Sequence, residues 1–328
     1  MTMVNDILKQ MPGLGQPQRT FLATLCFTVL VLRGRVNCRT VSRSCDSSQR
    51  TIARQFREPF DWPDFPQRVL RTALDPRSAL VSAHDASFIP QSGTQTVGLG
   101  HFCNGCARRA ERGREISTLA VVDVTRRCAL TLAVSQTPPG EDTTKAEQDE
   151  TRVDFYTQQL RAHRHRLPPS VTSHCVDGSS AQKQYSDAVV SLGLHAITKL
   201  RSDADGVLLS TGPHPKRRGA KRKDDGKGNV QDSSRFEDRG TREDEPHRHL
   251  YTAVGWHKTL KRRLRLVVLL NRQDPATPRC IVLGSTDPEL HGHTLIDLDA
   301  ARFQIAFLCR DSTQFTGLLD CQARAESA

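Results

Sequence analysis

Ile116-Ser-Thr-Leu-Ala-Val-Val-Asp-Val124 and, just beyond it, Cys128-Ala-Leu-Thr-Leu-Ala-Val134 decide the fold class of this chain. Both runs are short, apolar and bounded by polar residues, so they read as central strands buried on both faces. Thr125-Arg-Arg127 between them is the right length for a hairpin connection. Upstream, Leu80-Val-Ser-Ala-His-Asp-Ala-Ser-Phe88 reads as another strand, and its period of two places Ala83, Asp85 and Ser87 on one face. Downstream, apolar spacing predicts a helix over 151–167, ended by Pro168-Pro169, then a strand over 171–177 that Gly178 turns. A helix over 181–192, stopped by Gly193, and a strand over 195–200 follow. That alternation is the order of an α/β layer fold.

Working outward, residues 1–75 read as helical. Pro17 suits a first helical turn, and Phe21, Leu22, Leu25, Val29 and Leu32 recur at helical spacing until Gly34. Two short helices are predicted over 40–45 and 48–56, the second capped by Asp46 or Ser47. Gln49, Arg50 and Arg54 would then face outward, with Ile52, Ala53 and Phe56 inward. This layout suits either a helix-turn-helix DNA-binding unit or a plain bundle with solvated arginines. Pro59, Pro63 and Pro66 are expected to end the helical run, with Trp62 and Phe65 as core anchors.

Towards the other end, residues 203–248 are poor in apolar side chains and dense in both charge signs, which predicts a mobile loop. Strands are predicted over 249–255, 264–270 and 280–284, and a final helix over 294–315. The expected division is a helical domain over 1–75, the first part of an α/β core over 76–202, a charged and β-rich insertion over 203–290, and the last core helix over 291–328.

The chain carries 47 Lys and Arg against 36 Asp and Glu, a formal charge of +11. Such an excess favours a polyanionic partner, since cations that meet phosphates release counterions. The longest apolar run, 21–32, is too short to span a bilayer, and no basic leader opens the chain, so no membrane partner and a cytoplasmic location with reduced thiols are expected. Cys103-Asn-Gly-Cys106 has no second cysteine pair at zinc spacing and reads as ordinary thiols.

Asp85 and Asp177 stand out because each lies within or at the end of an apolar strand, where a carboxylate costs free energy unless paired or bound to a cation. A single strand-end Asp more commonly caps a turn. Their neighbourhoods add more. His84-Asp-Ala-Ser-Phe-Ile-Pro-Gln-Ser-Gly93, Cys175-Val-Asp-Gly178 and the segment running from Ala301-Arg-Phe-Gln-Ile-Ala-Phe-Leu-Cys-Arg310 to Arg324 together resemble the insertion-sequence DDE transposases. The family's signature helix reads Tyr, two residues, Arg, three residues, Glu, six residues, Lys. Laid on 299, 302, 306 and 313, those steps share one helical stripe. Here the four positions hold Asp299, Arg302, Ala306 and Thr313.

The resemblance implies an RNase H-like mixed sheet with flanking helices, a β-rich insertion before the last catalytic helix, and a truncated C-terminus. It implies a transposase that cleaves DNA at element ends and joins them to target DNA, homodimeric on DNA and nucleoid-associated. Asp85 and Asp177 would be the catalytic carboxylates and ligands of Mg²⁺ or Mn²⁺. Arg302, Arg310, Lys216, Arg217, Arg218, Lys261, Arg262 and Arg263 would contact DNA. Ala306 stands where the third carboxylate belongs, and a methyl group offers a metal no lone pair. Asp299 lies about 10 Å along the helix axis from 306, and Asp311 about 140° around it, so neither is expected to substitute. Cleavage is therefore expected to be impaired. The alternative is a non-catalytic DNA-binding protein that occupies element ends or inhibits intact transposase.

Overall fold

The computed structural model describes residues 2–32, 36–75, 77–91, 96–139, 151–178, 181–201, 206–209, 224–227, 235–243, 245–272 and 279–318. The chain begins with α1 (Thr2–Gln10), α2 (Gln16–Val31), α3 (Cys38–Arg43), α4 (Gln49–Gln55) and α5 (Asp64–Ala73). Leu8, Met11, Phe21, Leu22, Val41 and Ile52 close over one another to give this unit its own core. Pro17 sits in the first turn of α2, where a missing N–H costs nothing.

Four details differ from expectation. The cap of α4 is Ser48, whose Oγ accepts from the Thr51 N–H at 3.2 Å, because it directly precedes the first helical residue. Phe56 is exposed, having fallen just past the helix end, and meets Phe21 edge-on at 5.4 Å. The prolines do not end the helical run: Pro63 caps α5 and Pro66 occupies its first turn. Trp62 is exposed, because Phe60 and Phe65 are the residues that pack inward there.

The sheet strands are β1 (Leu80–Pro90), β2 (Gly100–Asn104), β3 (Arg109–Asp123) and β4 (Cys128–Gln136), followed by α6 (Arg152–His163) with a 3-10 turn, Arg164–Arg166. Then come β5 (Ser173–Val176), α7 (Lys183–Ser191) and β6 (His195–Leu200). Next are β7 (Gly206–Leu209), β8 (Asp224–Lys227), β9 (Glu237–Arg242), β10 (Glu245–His257), β11 (Arg262–Asn271) and β12 (Arg279–Ser285), before α8 (Gly292–Arg302) and α9 (Gln304–Phe315). All lie in one mixed sheet, ordered β2-β3-β1-β5-β6-β12-β11-β10-β7-β8, with β4 on β3 and β9 on β10. β1 runs antiparallel to β3 and parallel to β5, and β5 parallel to β6. The predicted hairpin stands, its turn closed by Arg127 at φ 52°. Gly113 is required where β1 and β3 cross closely, since a Cβ there would lie 2.4 Å from the Ile89 carbonyl oxygen. The β2–β3 connection over 105–108 begins at Asn104, whose Oδ1 accepts from the Cys106 N–H at 3.0 Å, and closes at Arg108 with φ 53°; it leaves Cys103 and Cys106 exposed.

Two corrections and one placement concern the C-terminal half. The stretch expected as a mobile loop contributes strands β7 to β9 and the start of β10, because pairing of β7 and β9 with β10, and of β8 with β7, supplies their backbone bonds whatever their side-chain propensity. β11 is paired with β10 from Arg262 and with β12 from Arg265 onward, so Arg262 and Arg263 lie at its singly paired end. The single final helix is two helices that meet at Phe303. Among the described residues, no helix is long and apolar enough to cross a membrane.

Alternation along β1 separates two cores. Leu80 faces α5, α6 and α7, among Leu70, Tyr156, Leu160, Tyr185 and Val189. Val81 and Ala83 face α8 and α9, among Leu295, Leu298, Ala301 and Ile305. The first side also buries polar groups. His84 Nε2 lies 2.7 Å from Ser117 Oγ and 3.0 Å from Gln159 Oε1, while His174 bridges Ser82 Oγ at 2.8 Å and the Tyr185 hydroxyl at 2.9 Å. Burial holds the His84 imidazole down to about 4, against a partial lift from Gln159, and His174 to about 3, with His84 adding to the depression.

Both rings are neutral in the folded chain, whereas the unfolded chain takes up protons near 6.5. Their contribution to stability is complete above that pH and is lost as pH falls towards about 4 for His84 and about 3 for His174. Urea midpoints measured across that window are expected to fall, and to fall less steeply in His84→Gln. Equal slopes in the two proteins would contradict this.

Candidate functional site

Asp85 continues the apolar row of Val81 and Ala83 but is only half-buried, at the point where β1 emerges beside α9. Asp177 follows Val176 at the carboxyl end of β5, with its side chain 53% exposed. Gly178 lets the chain turn there, since a Cβ would sit 3.0 Å from the Lys199 carbonyl oxygen. Parallel pairing of β1 with β5 therefore brings two aspartates, distant in sequence, to one end of one sheet face.

Between them lies Arg302, at the end of α8 and only 7% exposed. Its Nη2 is 3.6 Å from Asp177 Oδ1, its Nε is 4.0 Å from Asp299 Oδ1, and its guanidinium lies over the Phe303 ring at 4.7 Å. Burial raises the Asp85 carboxyl above its ordinary value; Arg302 and the Ala86 N–H pull it back, while Asp177 and Glu115 push it up. Asp299 is raised by burial as well, with Arg302 and Lys199 lowering it and Asp177 raising it. Three carboxylates thus share the field of one buried guanidinium. Arg302 Nε and Asp299 Oδ1 are both buried and face each other beyond hydrogen-bond range, each without a hydrogen-bond partner.

Asp299, expected not to stand in for the carboxylate missing at 306, faces Arg302, one turn further on its own helix. Ala306 is exposed on α9. The residues flanking it along the stripe, Arg302 and Cys309, both interact with Asp85, and Cys309 also bonds Ser87 and Thr118. Sequence reasoning missed Cys309; its place three residues beyond 306, on the same helical stripe, was the available signal.

The other expected contact residues are placed elsewhere. Thr313 gives its hydroxyl to the Arg310 carbonyl at 2.7 Å. Arg310 pairs with Asp311 at 3.0 Å and lies over Phe307. Arg262 forms an ion pair with Asp187 on α7, which also holds Lys183. Lys261 and Arg263 are exposed, Lys261 in the β10–β11 turn at φ 51°. Lys216, Arg217 and Arg218 lie outside the described residues.

Asp85 and Asp177 are the two carboxylates that could hold Mg²⁺ or Mn²⁺; Arg302 stands 3.6 Å from Asp177, and the third expected position offers a methyl group. No protein-family model matches the chain, and no curated protein matches its sequence.

Removing the guanidinium leaves buried negative charge without compensation. Arg302→Ala is expected to lower stability by about 3 kcal/mol near neutral pH. Asp85 and Asp299, freed of the charge that lowers them, would then titrate above the unfolded carboxylate range, so the folded variant binds more protons and its deficit shrinks as pH falls. Urea unfolding at about pH 7 and about pH 5 checks this, and a deficit independent of pH would contradict it.

Proposed function

We propose that the chain is a degenerate insertion-sequence DDE transposase with an RNase H-like core, which binds DNA at element ends and is impaired in cleavage. One observation carries the reading: the three separated segments that bear the resemblance, around Asp85, Asp177 and Arg302, meet at one place. An antiparallel β1-β3-β4 meander followed by parallel β5 and β6, with α6 and α7 between strands, is compatible with such a core. A DNA partner is supported by the charge of +11 and by exposed Gln49, Arg50 and Arg54 on α4, within a helical unit suited to reading element ends.

The chemistry of a strand transfer needs stabilisation of charge at the attacking and leaving oxygens. Asp85 and Asp177 stand where that charge would be managed, but Arg302 offsets part of their charge and Ala306 adds no donor. That same observation favours the second reading, a protein that occupies element ends without cutting, over full activity. Dimerisation on paired ends belongs to either version.

The test uses a duplex carrying the inverted repeats that flank the gene. The wild-type chain is expected to bind it in a gel shift that weakens with salt, and to leave it uncut with Mg²⁺ or Mn²⁺ present. Ala306→Glu combined with Thr313→Lys is expected to nick it. Nicking by the wild-type chain would overturn the impairment, and absence of preferential binding to the repeats would overturn the reading as a whole.

A further inference from the structure

A cleft of about 550 Å³ opens between α5 and the turn that follows α6. It lies on the face of β1 opposite to Asp85, since Leu80 lines it. Its size is that of a small-molecule site. Leu70, Leu74, Leu80 and Leu167 line it with apolar surface, and Pro168 and Pro169 form one wall. The polar lining is one-sided in charge. Arg71, His165 and Arg166 contribute, and none of the described residues that line the cleft carries a carboxylate.

Arg166 is the telling group. Its Nε points at His165 Nε2, 3.3 Å away, while its Nη1 is buried and has no hydrogen-bond partner. A charged N–H left without an acceptor costs free energy, and the lining supplies no anion to meet it. A ligand that fits must therefore bring a negative head for the arginines and a hydrocarbon body for the leucines. A backbone phosphate of duplex DNA would satisfy the first condition and leave the apolar surface of Leu74, Pro168 and Pro169 uncovered.

We propose that this cleft binds a small carboxylate with an apolar tail, its head on Arg166 and Arg71 and its tail on the leucine lining. The site is independent of the aspartate site and of the DNA reading.

Decanoate is the probe, titrated into the full chain by calorimetry, with decanol as a neutral control of equal length. Saturable one-to-one binding of decanoate is expected, with decanol weaker by about tenfold, the worth of a charge-assisted hydrogen bond. Arg166→Gln is expected to bring decanoate down to the level of decanol without changing decanol binding, and Arg166→Lys to retain an intermediate affinity. Unchanged thermal unfolding of both variants would attribute the loss to the site. Failure of the wild-type chain to bind decanoate saturably would overturn the proposal. So would equal affinity for decanoate and decanol, or an Arg166→Gln protein that binds decanoate as the wild type does.

Discussion

Asp85 ends an apolar strand face with a carboxylate, and a half-buried carboxylate needs positive charge nearby or must give up its own. Arg302 supplies that charge from a different element, so the demand of one side chain on β1 fixes where α8 must end. The apolar residues above it do the rest: Val81, Ala83, Leu298, Ala301 and Ile305 bury α8 and α9 against the sheet. On the far face, β1 presents Leu80, Ser82 and His84 to α6 and α7, and there polar groups are met by hydrogen bonds instead of charge. One strand therefore carries two solutions to the problem of burying polarity, separated by its own pleat.

An ionic cluster made this way holds α8 to the carboxyl end of β5. A guanidinium is a fixed cation with no exchangeable coordination sites, whereas hydrolytic chemistry at phosphorus needs charge that can meet developing negative oxygens. Asp177 remains half-exposed and Ala306 is exposed on α9, so solvent reaches both positions.

Much of this was legible from residue spacing. The strand around Val121 announced itself as a short apolar run and the strand around Asp85 by its period of two, and Gly178 and Gly193 marked the turns that follow β5 and α7. What escaped had specific causes. Glu237–Arg242 is a strand although its side chains suit a loop, because its partner β10 decides its pairing. The break at Phe303 has no Gly or Pro to signal it, so Asp299 and Ala306 read as members of one continuous stripe. Ion pairs such as Arg262–Asp187 join residues far apart in sequence and leave no local trace. The convergence of Asp85 with Asp177, with the stripe of Arg302 facing them, was expected; the approach of Asp299 to that guanidinium was not.

The claim that Arg302 is the cation of this site is tested most directly by a crystal structure of the wild-type chain grown with Mn²⁺, read by anomalous scattering. The Arg302 guanidinium between Asp177 and Asp299, with no anomalous peak within coordination distance of Asp85 or Asp177, is the expected result. A manganese peak bound by both aspartates, with Arg302 turned away, would contradict the account.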